Sequence, residues 1–215
     1  MNRLVFLCLV IVAFTVSATS VSFASFESYE GSDNLITMTL NNDKANLNVG
    51  GKGELTIDWG DGNVEKYTDT VYSKSISHNY SSSSTYTIKI TGENILIFAC
   101  MDNRLTNLDV SKSTSMIQLY CSNNQLTNLD ISENTALTTL YLYNNQLTDL
   151  DASNNTALSE LSCAKNRFTD ETLNTLFNTL HSNEGIKVVK IGNNPGTKKC
   201  NRGIAESKGW SVKNL

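Results

Sequence analysis

The sequence predicts a mainly β fold with some α: a solenoid of five to six coils preceded by a small β-sandwich. Three observations predict it. Asn103, Asn124, Asn145 and Asn166 recur at a constant interval of 21 residues, and the sequence around them recurs too. One interval is longer, with Asn194 following Asn166 by 28 residues, and its additional stretch carries apolar residues at helical spacing. Upstream of the array, the chain changes to short alternating segments such as LITMTLN, ELTIDWG and TYTIKITG, the pattern of strands with one buried face.

In register, the repeats read ILIFACMDNRLTNL from Ile95, MIQLYCSNNQLTNL from Met116, LTTLYLYNNQLTDL from Leu137 and LSELSCAKNRFTDE from Leu158. Each follows LxxLxLxxNxLxxL, the pattern of leucine-rich repeats, which adds one short strand and one return segment per coil. Residues at the first, fourth and sixth places are expected to point inward, with Leu119, Leu140 and Leu161 as one column. The asparagines Asn103, Asn124, Asn145, Asn166 and Asn194 are expected to form a buried ladder, because an amide both donates and accepts and so satisfies the backbone of adjacent coils. A fifth unit, IKVVKIGNN, begins at Ile186. Residues 170–182 place Leu173, Leu176, Phe177 and Leu180 on one helical face. That predicts a convex helix starting at Asp170 after Thr169 and stopping near Asn183 to Gly185. The shorter coils leave no room for such a helix. Their LDxSxNT segments, at Asp109, Asp130 and Asp151, are expected to make tight turns with side chains bonded to loop backbone.

A solenoid needs its terminal apolar faces covered. At the C-terminal end, about residues 200–215, a short helix and then Trp210 and Val212, 21 residues after Val189 and Ile191, are expected to continue the columns. Trp210 reads as a packing lid. At the other end, LTIDWGDGN at Leu55 and ISHNYSSSSTYTIKITG at Ile76 resemble the PKD-type immunoglobulin-like domain, through Trp59, Gly60, Asp61, Gly62, His78, Tyr80 and Tyr86. The resemblance implies an extracellular spacer or adhesive module over residues 26–92, with the solenoid and its cap over 93–215. Asp58, Asp61 and Asn63 lack the spacing and distal Glu of a calcium loop, so a tight turn is the expected role and no metal or other cofactor is assigned. His78 is read as a structural corner and His181 as a residue at the end of the convex helix.

Asn2 and Arg3, then an apolar run from Leu4 to Val16, then small residues around Ser22 and Ala24, read as a signal peptide over residues 1–24. Ala18 is the rival cleavage point, and an uncleaved anchor is the alternative. Beyond residue 24 no apolar stretch is long enough to span a bilayer. The chain carries a net charge of −4, which gives no general attraction for nucleic acid. An exported chain with Cys100, Cys121, Cys163 and Cys200 suggests two disulfides. The repeat favours free thiols instead. Cys100, Cys121 and Cys163 share the inward slot that Leu142 fills in the coil between, and parallel in-register strands aim two such side chains alike.

The array also resembles the 21-residue, cysteine-containing repeats of bacterial surface proteins, including internalin-like adhesins with a cysteine ladder; the resemblance implies adhesion at a cell surface. The outward positions beside the inward leucines align into one concave face. Read from the pattern, its candidate ligand-binding residues are Met101, Gln118, Tyr120, Thr139, Tyr141, Tyr143, Glu160, Lys165 and Lys190, centred on the three tyrosines. Tyrosine contributes large contact area at small entropic cost, so the expected partner is a protein or a glycan, bound by a monomer. Tyrosine is also a good strand former whose ring covers its neighbours, which keeps open a spacer role without a dedicated ligand. An inhibitor of a secreted enzyme would use the same face. Two histidines in separate regions, with no GxSxG, HExxH or P-loop pattern, supply no convergent catalytic set, and no enzyme is expected.

Overall fold

The computed structural model describes residues 34–68 and 74–214; the leader expected over residues 1–24 lies outside them. Residues 32–215 cluster as one compact unit. Alternation of buried and exposed positions makes three strands at the start: β1 (Asn34–Asp58), β2 (Val64–Tyr67) and β3 (Lys74–Ala99). Two of them are long and bent. Residues 34–42 of β1 pair antiparallel with 84–92 of β3, residues 44–49 with 74–79, residues 48–52 with 94–99, and residues 55–58 with 89–92. The register slips between these blocks mark the bends, as bulges do. Folding back in this way produces two ladders from one hairpin. One runs through 34–42, 84–92, 55–58 and β2; the other through 74–79, 44–52 and 94–99. Ile36, Met38 and Leu40, Ala45, Leu47 and Val49, Ile57, Ile88 and Ile90 fill the space between them, so the sandwich is present. Its turn at Gly60 has φ +79°, and a Cβ there would stand 2.4 Å from the Thr87 carbonyl oxygen, which restricts the position to glycine.

The last residues of β3 are also the first strand of the solenoid. Ile97, Phe98 and Ala99 pair in parallel with Gln118, Leu119 and Tyr120 of β5 (Gln118–Tyr120). β6 (Thr139–Tyr141), β7 (Glu160–Ser162), β8 (Lys187–Lys190) and β9 (Trp210–Lys213) follow, each parallel to the one before. Residue 92, where the sequence changes texture, therefore lies inside a continuous strand. Phe98, Leu119, Leu140, Leu161 and Val189 stack in register and are fully buried. Sandwich and solenoid share one hydrophobic core. A second seam joins them behind the sheet, where β4 (Leu105–Asp109), the back of the first coil, pairs antiparallel with residues 37–40 of β1. The sequence predicts turns on the backs of the short coils. This one is a strand because the edge of the sandwich presents unpaired backbone beside it.

The asparagines bond as their chemistry demands. Asn124 Nδ2 donates to the Cys100 and Cys121 carbonyls, each at 2.9 Å, while its Oδ1 accepts from the Leu105 amide at 3.0 Å. Asn145, Asn166 and Asn194 repeat the arrangement one coil on. Asn103 carries it into the sandwich, exchanging bonds of 2.7 Å with the backbone of Asn46. The residue preceding each ladder asparagine, Asp102, Asn123, Asn144, Lys165 and Asn193, has φ between 52° and 60°. A parallel, shorter ladder runs up the convex turns, with Asn134 Nδ2 bonded to Val110 and Ser113 carbonyls and Asn155 Nδ2 to those of Ile131 and Asn134. Asp109, Asp130 and Asp151 each accept from the amide two residues on, the Asx turns expected of those segments.

The longer coil contains α1 (Asp170–Thr179), capped by reciprocal Thr169–Thr172 bonds and packed through Leu173, Leu176 and Phe177. It ends three residues before Asn183, at Leu180, which turns extended yet stays buried. The carbonyls at and just past its end are bonded from the terminal cap: Lys208 Nζ reaches the Asn178 and Leu180 oxygens at 2.6 and 2.8 Å, and Trp210 Nε1 that of His181 at 2.9 Å. Gly196 backs onto the start of α1, where a Cβ would meet the Asp170 nitrogen at 2.1 Å. The cap itself holds α2 (Gly203–Glu206) and β9.

Two register expectations change here. Ile186 is not inward but 91% exposed. β8 begins at Lys187, whose stem takes the inward place while its ammonium donates to the Asn183 carbonyl and lies 5.9 Å from the Trp210 ring centre. A lysine tolerates this because its stem is apolar and its head finds partners. Trp210 pairs with Lys187, and Val212 with Val189, so the last spacing is 23 residues rather than 21. The return through the 194–199 turn and α2 is longer by two, and a slip of two preserves inward and outward faces.

Candidate functional site

Parallel in-register strands turn sequence columns into surface columns about 4.8 Å apart. The outward column nearest the strand starts is Ile97, Gln118, Thr139, Glu160 and Val188; the next is Ala99, Tyr120, Tyr141, Ser162, Lys190 and Lys213. Just beyond the strands stand Met101, Ser122, Tyr143, Ala164 and Gly192, then the left-handed residues with Asn144 and Lys165 among them. The small members of this surface, Ala99, Ser122, Ser162 and Ala164, are all less than 10% exposed.

The structure brings five of the expected residues, Gln118, Tyr120, Tyr141, Glu160 and Lys190, into one network. Tyr120 and Tyr141 meet edge to face, with ring centres 5.2 Å apart and planes at 83°. The Tyr141 hydroxyl donates to Glu160 Oε1, and the same oxygen receives Lys190 Nζ at 2.7 Å. The Lys190 ammonium also stands 5.2 Å from the Tyr141 ring centre. Burial, then the bond to Glu160, push the Tyr141 phenol far above its ordinary pKa, so it remains a donor at any working pH. Gln118 accepts from the Tyr120 hydroxyl at 3.1 Å. A second group lies beside the first, where the Lys165 ammonium is 5.0 Å from the Tyr143 ring centre and Asn144 Nδ2 donates to Asn123 Oδ1 at 3.0 Å. Thr139 sits in register between Gln118 and Glu160. Met101 is half-buried at the first coil.

The column pattern locates these residues; the network is not legible from it, because Tyr141 and Glu160 are 19 apart and differ in column. Lys213 is a further member of the face that the 21-residue register places elsewhere. The shift of two residues in the last coil sets it directly beside Lys190.

A second polar cluster lies at the sandwich turn. His78 Nε2 and Asp61 Oδ2 are 2.7 Å apart, and His78 stacks on Trp59 with ring centres 4.8 Å apart and planes at 10°. Tyr80 meets the edge of His78, stacks on Tyr86 and donates to the Trp59 carbonyl at 3.0 Å. Burial works to raise the Asp61 pKa, but bonds from His78 and Asn63 outweigh it and hold the carboxyl at about 2. The cluster knots the turn between residues 58 and 63 to β3. Among the described residues no group of three His, Cys, Asp or Glu is placed to hold a metal. Cys100, Cys121 and Cys163 are buried free thiols and Cys200 is half-buried and free. Burial pushes Cys121 and Cys163 up to about 12 and Cys100 well above its usual value. No described helix is long and apolar enough to cross a membrane.

Residues 114–155 match the family described as Leucine Rich repeats (2 copies), and the β-rich coils seen here are a leucine-rich-repeat solenoid. Among solved structures, the chain is similar to the functional domain of InlJ from Listeria monocytogenes, described as including a cysteine ladder, at 29% identity and a TM-score of 0.43. That match covers 52% of this chain and 23% of the other, so the chain spans about a quarter of its length. No curated protein matches.

Proposed function

We propose that this chain is an exported or surface-displayed binding protein of the adhesin type, which presents the concave sheet around Tyr120, Tyr141 and Tyr143 to a macromolecular ligand. One observation carries the reading: aromatic and paired polar side chains occupy the outward columns of a rigid parallel sheet, with their rotamers held by mutual contacts. A surface whose anchors are ordered before the partner arrives loses little entropy on binding. Buried tyrosine rimmed by charge is the composition of interface centres. On this reading residues 1–24 direct export, residues 26–92 are a PKD-like module that also caps the solenoid, and residues 93–215 present the face of a monomer. Binding rather than catalysis is the activity, consistent with a repeat fold whose residues hold one another rather than a reactive group.

The test compares the protein with a Tyr120→Ser/Tyr141→Ser/Tyr143→Ser variant of unchanged circular dichroism. Both are exposed to host-cell and microbial surface extracts and to a glycan array. Capture by the wild type and not by the variant supports the concave-face reading and names the ligand class. Equal capture by both sinks it, and capture by neither favours a spacer.

A further inference from the structure

We infer that the ligand of the concave face is an acidic protein segment whose carboxylates are taken by Lys190 and Lys213; this rests on the binding role proposed above. The observation behind it is a pairing of like charges. Lys190 and Lys213 are register partners on adjacent parallel strands and both point to the concave side. Like charges side by side on a sheet are destabilising, and the ion pair with Glu160 relieves Lys190 but not its neighbour Lys213. Lys190 and Lys213 have one carboxylate in the adjoining columns of strand residues, Glu160, which is already bonded to Tyr141 and Lys190. The excess is regional. Residues 186–215 hold seven Lys and Arg against one acid, Glu206, in a chain of net charge −4. The cap uses several of these cations structurally: Lys208 on the end of α1, Lys187 at Asn183 and Trp210, Arg202 at Thr197 and Asn214. Lys213 is exposed on the face itself. A surface that keeps adjacent cations beside its aromatic anchors is complementary to a partner that brings carboxylates.

The aromatic geometry selects a peptide over a sugar. Stacking a sugar requires an open ring face. The ring of Tyr141 is approached by Lys190 and meets Tyr120 edge to face, and Lys165 stands over Tyr143. The Tyr120 and Tyr141 hydroxyls are already bonded to Gln118 and Glu160, so the face offers ring edges beside ammonium groups, which suits carboxylates along an extended chain.

Fluorescence anisotropy tests this with labelled decaglutamate, decaglutamine and a sulfated oligosaccharide as probes. The expected result is binding of decaglutamate and not decaglutamine, weakened about tenfold in Lys190→Gln/Lys213→Gln and weakened by added salt. Lys198→Gln/Lys199→Gln, on the turn of the cap, is expected to bind as the wild type does. Absence of decaglutamate binding, equal loss in the Lys198/Lys199 variant, or tighter binding of the sulfated sugar with the same lysine dependence each overturns the proposal. Ligand capture from extracts separates it from the broader reading. If capture falls in the tyrosine variant and not in the Lys190/Lys213 variant, the acidic-segment proposal fails and the concave-face role stands. Capture insensitive to both removes the two together.

Discussion

At the scale of single residues, the asparagine ladder shows why one residue type recurs at one place. Each amide replaces backbone partners that the bend takes away, and no other uncharged side chain of that length both donates and accepts. Asn145 holds the Leu126 amide and the Cys121 and Leu142 carbonyls at 3.0–3.1 Å. Asn145→Ala leaves these groups buried without partners and is expected to cost about 3 kcal/mol, read as a lower urea midpoint at unchanged slope. The thiols offer a second check at this scale. With Cys100, Cys121 and Cys163 buried and raised, Cys200 is the one thiol among the described cysteines expected to react with Ellman's reagent in the folded protein, and the other three should react after unfolding. For Asp61 the pH dependence follows from its depressed pKa of about 2. Its stabilising contribution is present above the unfolded carboxyl pKa of about 3.9 and is lost as pH falls toward the folded value. Acid titration of the melting temperature should therefore show a steeper fall between those values in the wild type than in Asp61→Asn.

At the scale of elements, repeat spacing made the strands, the inward columns and the convex helix legible, because each is a local pattern with a fixed period. Coil ends are different. The side on which Ile186 emerges and the partner of Trp210 depend on the path of the return segment, and a pattern of 21 carries no information about a coil of 23. The contacts of the concave face were equally hidden: Tyr141 finds Glu160 and Lys190 only because three coils are stacked. The left-handed position before each ladder asparagine is another element-level rule. Asn or Asp fills four of the five places and Lys165 the fifth, and a long side chain is strained there. Lys165→Asn is expected to raise the melting temperature by about 1–3 °C, measured by circular dichroism. At the end of α1, Lys208→Ala should lower stability by about 1 kcal/mol, since no basic residue in the last turn itself offsets the helix dipole.

At the scale of the whole molecule, the sandwich and the solenoid are joined twice, through β3 into β5 and through β1 to β4, over a shared core. Calorimetry should accordingly show one transition, with equal calorimetric and van't Hoff enthalpies. A fragment beginning at residue 93 strips Leu105 and Leu108 of their partner strand and should be unfolded or aggregated. The difference between sequence and structure at residue 92 has the same origin. Composition changes there, from alternating strands to repeats, but a strand can carry two kinds of pattern in succession and still be one strand.

The two kinds of ladder also differ in how they carry tension. The solenoid's rungs from β5 to β7 are three residues long, so a pull that peels its last strand away opens a few hydrogen bonds at a time, coil after coil. The longest unbroken ladder of β1 and β3 pairs residues 34–42 with 84–92, and a pull along those strands loads more bonds together than a solenoid rung does. On the adhesin reading proposed above, a load carried by this protein would pass through a yielding spring in series with a stiffer clamp, and the spring would give first.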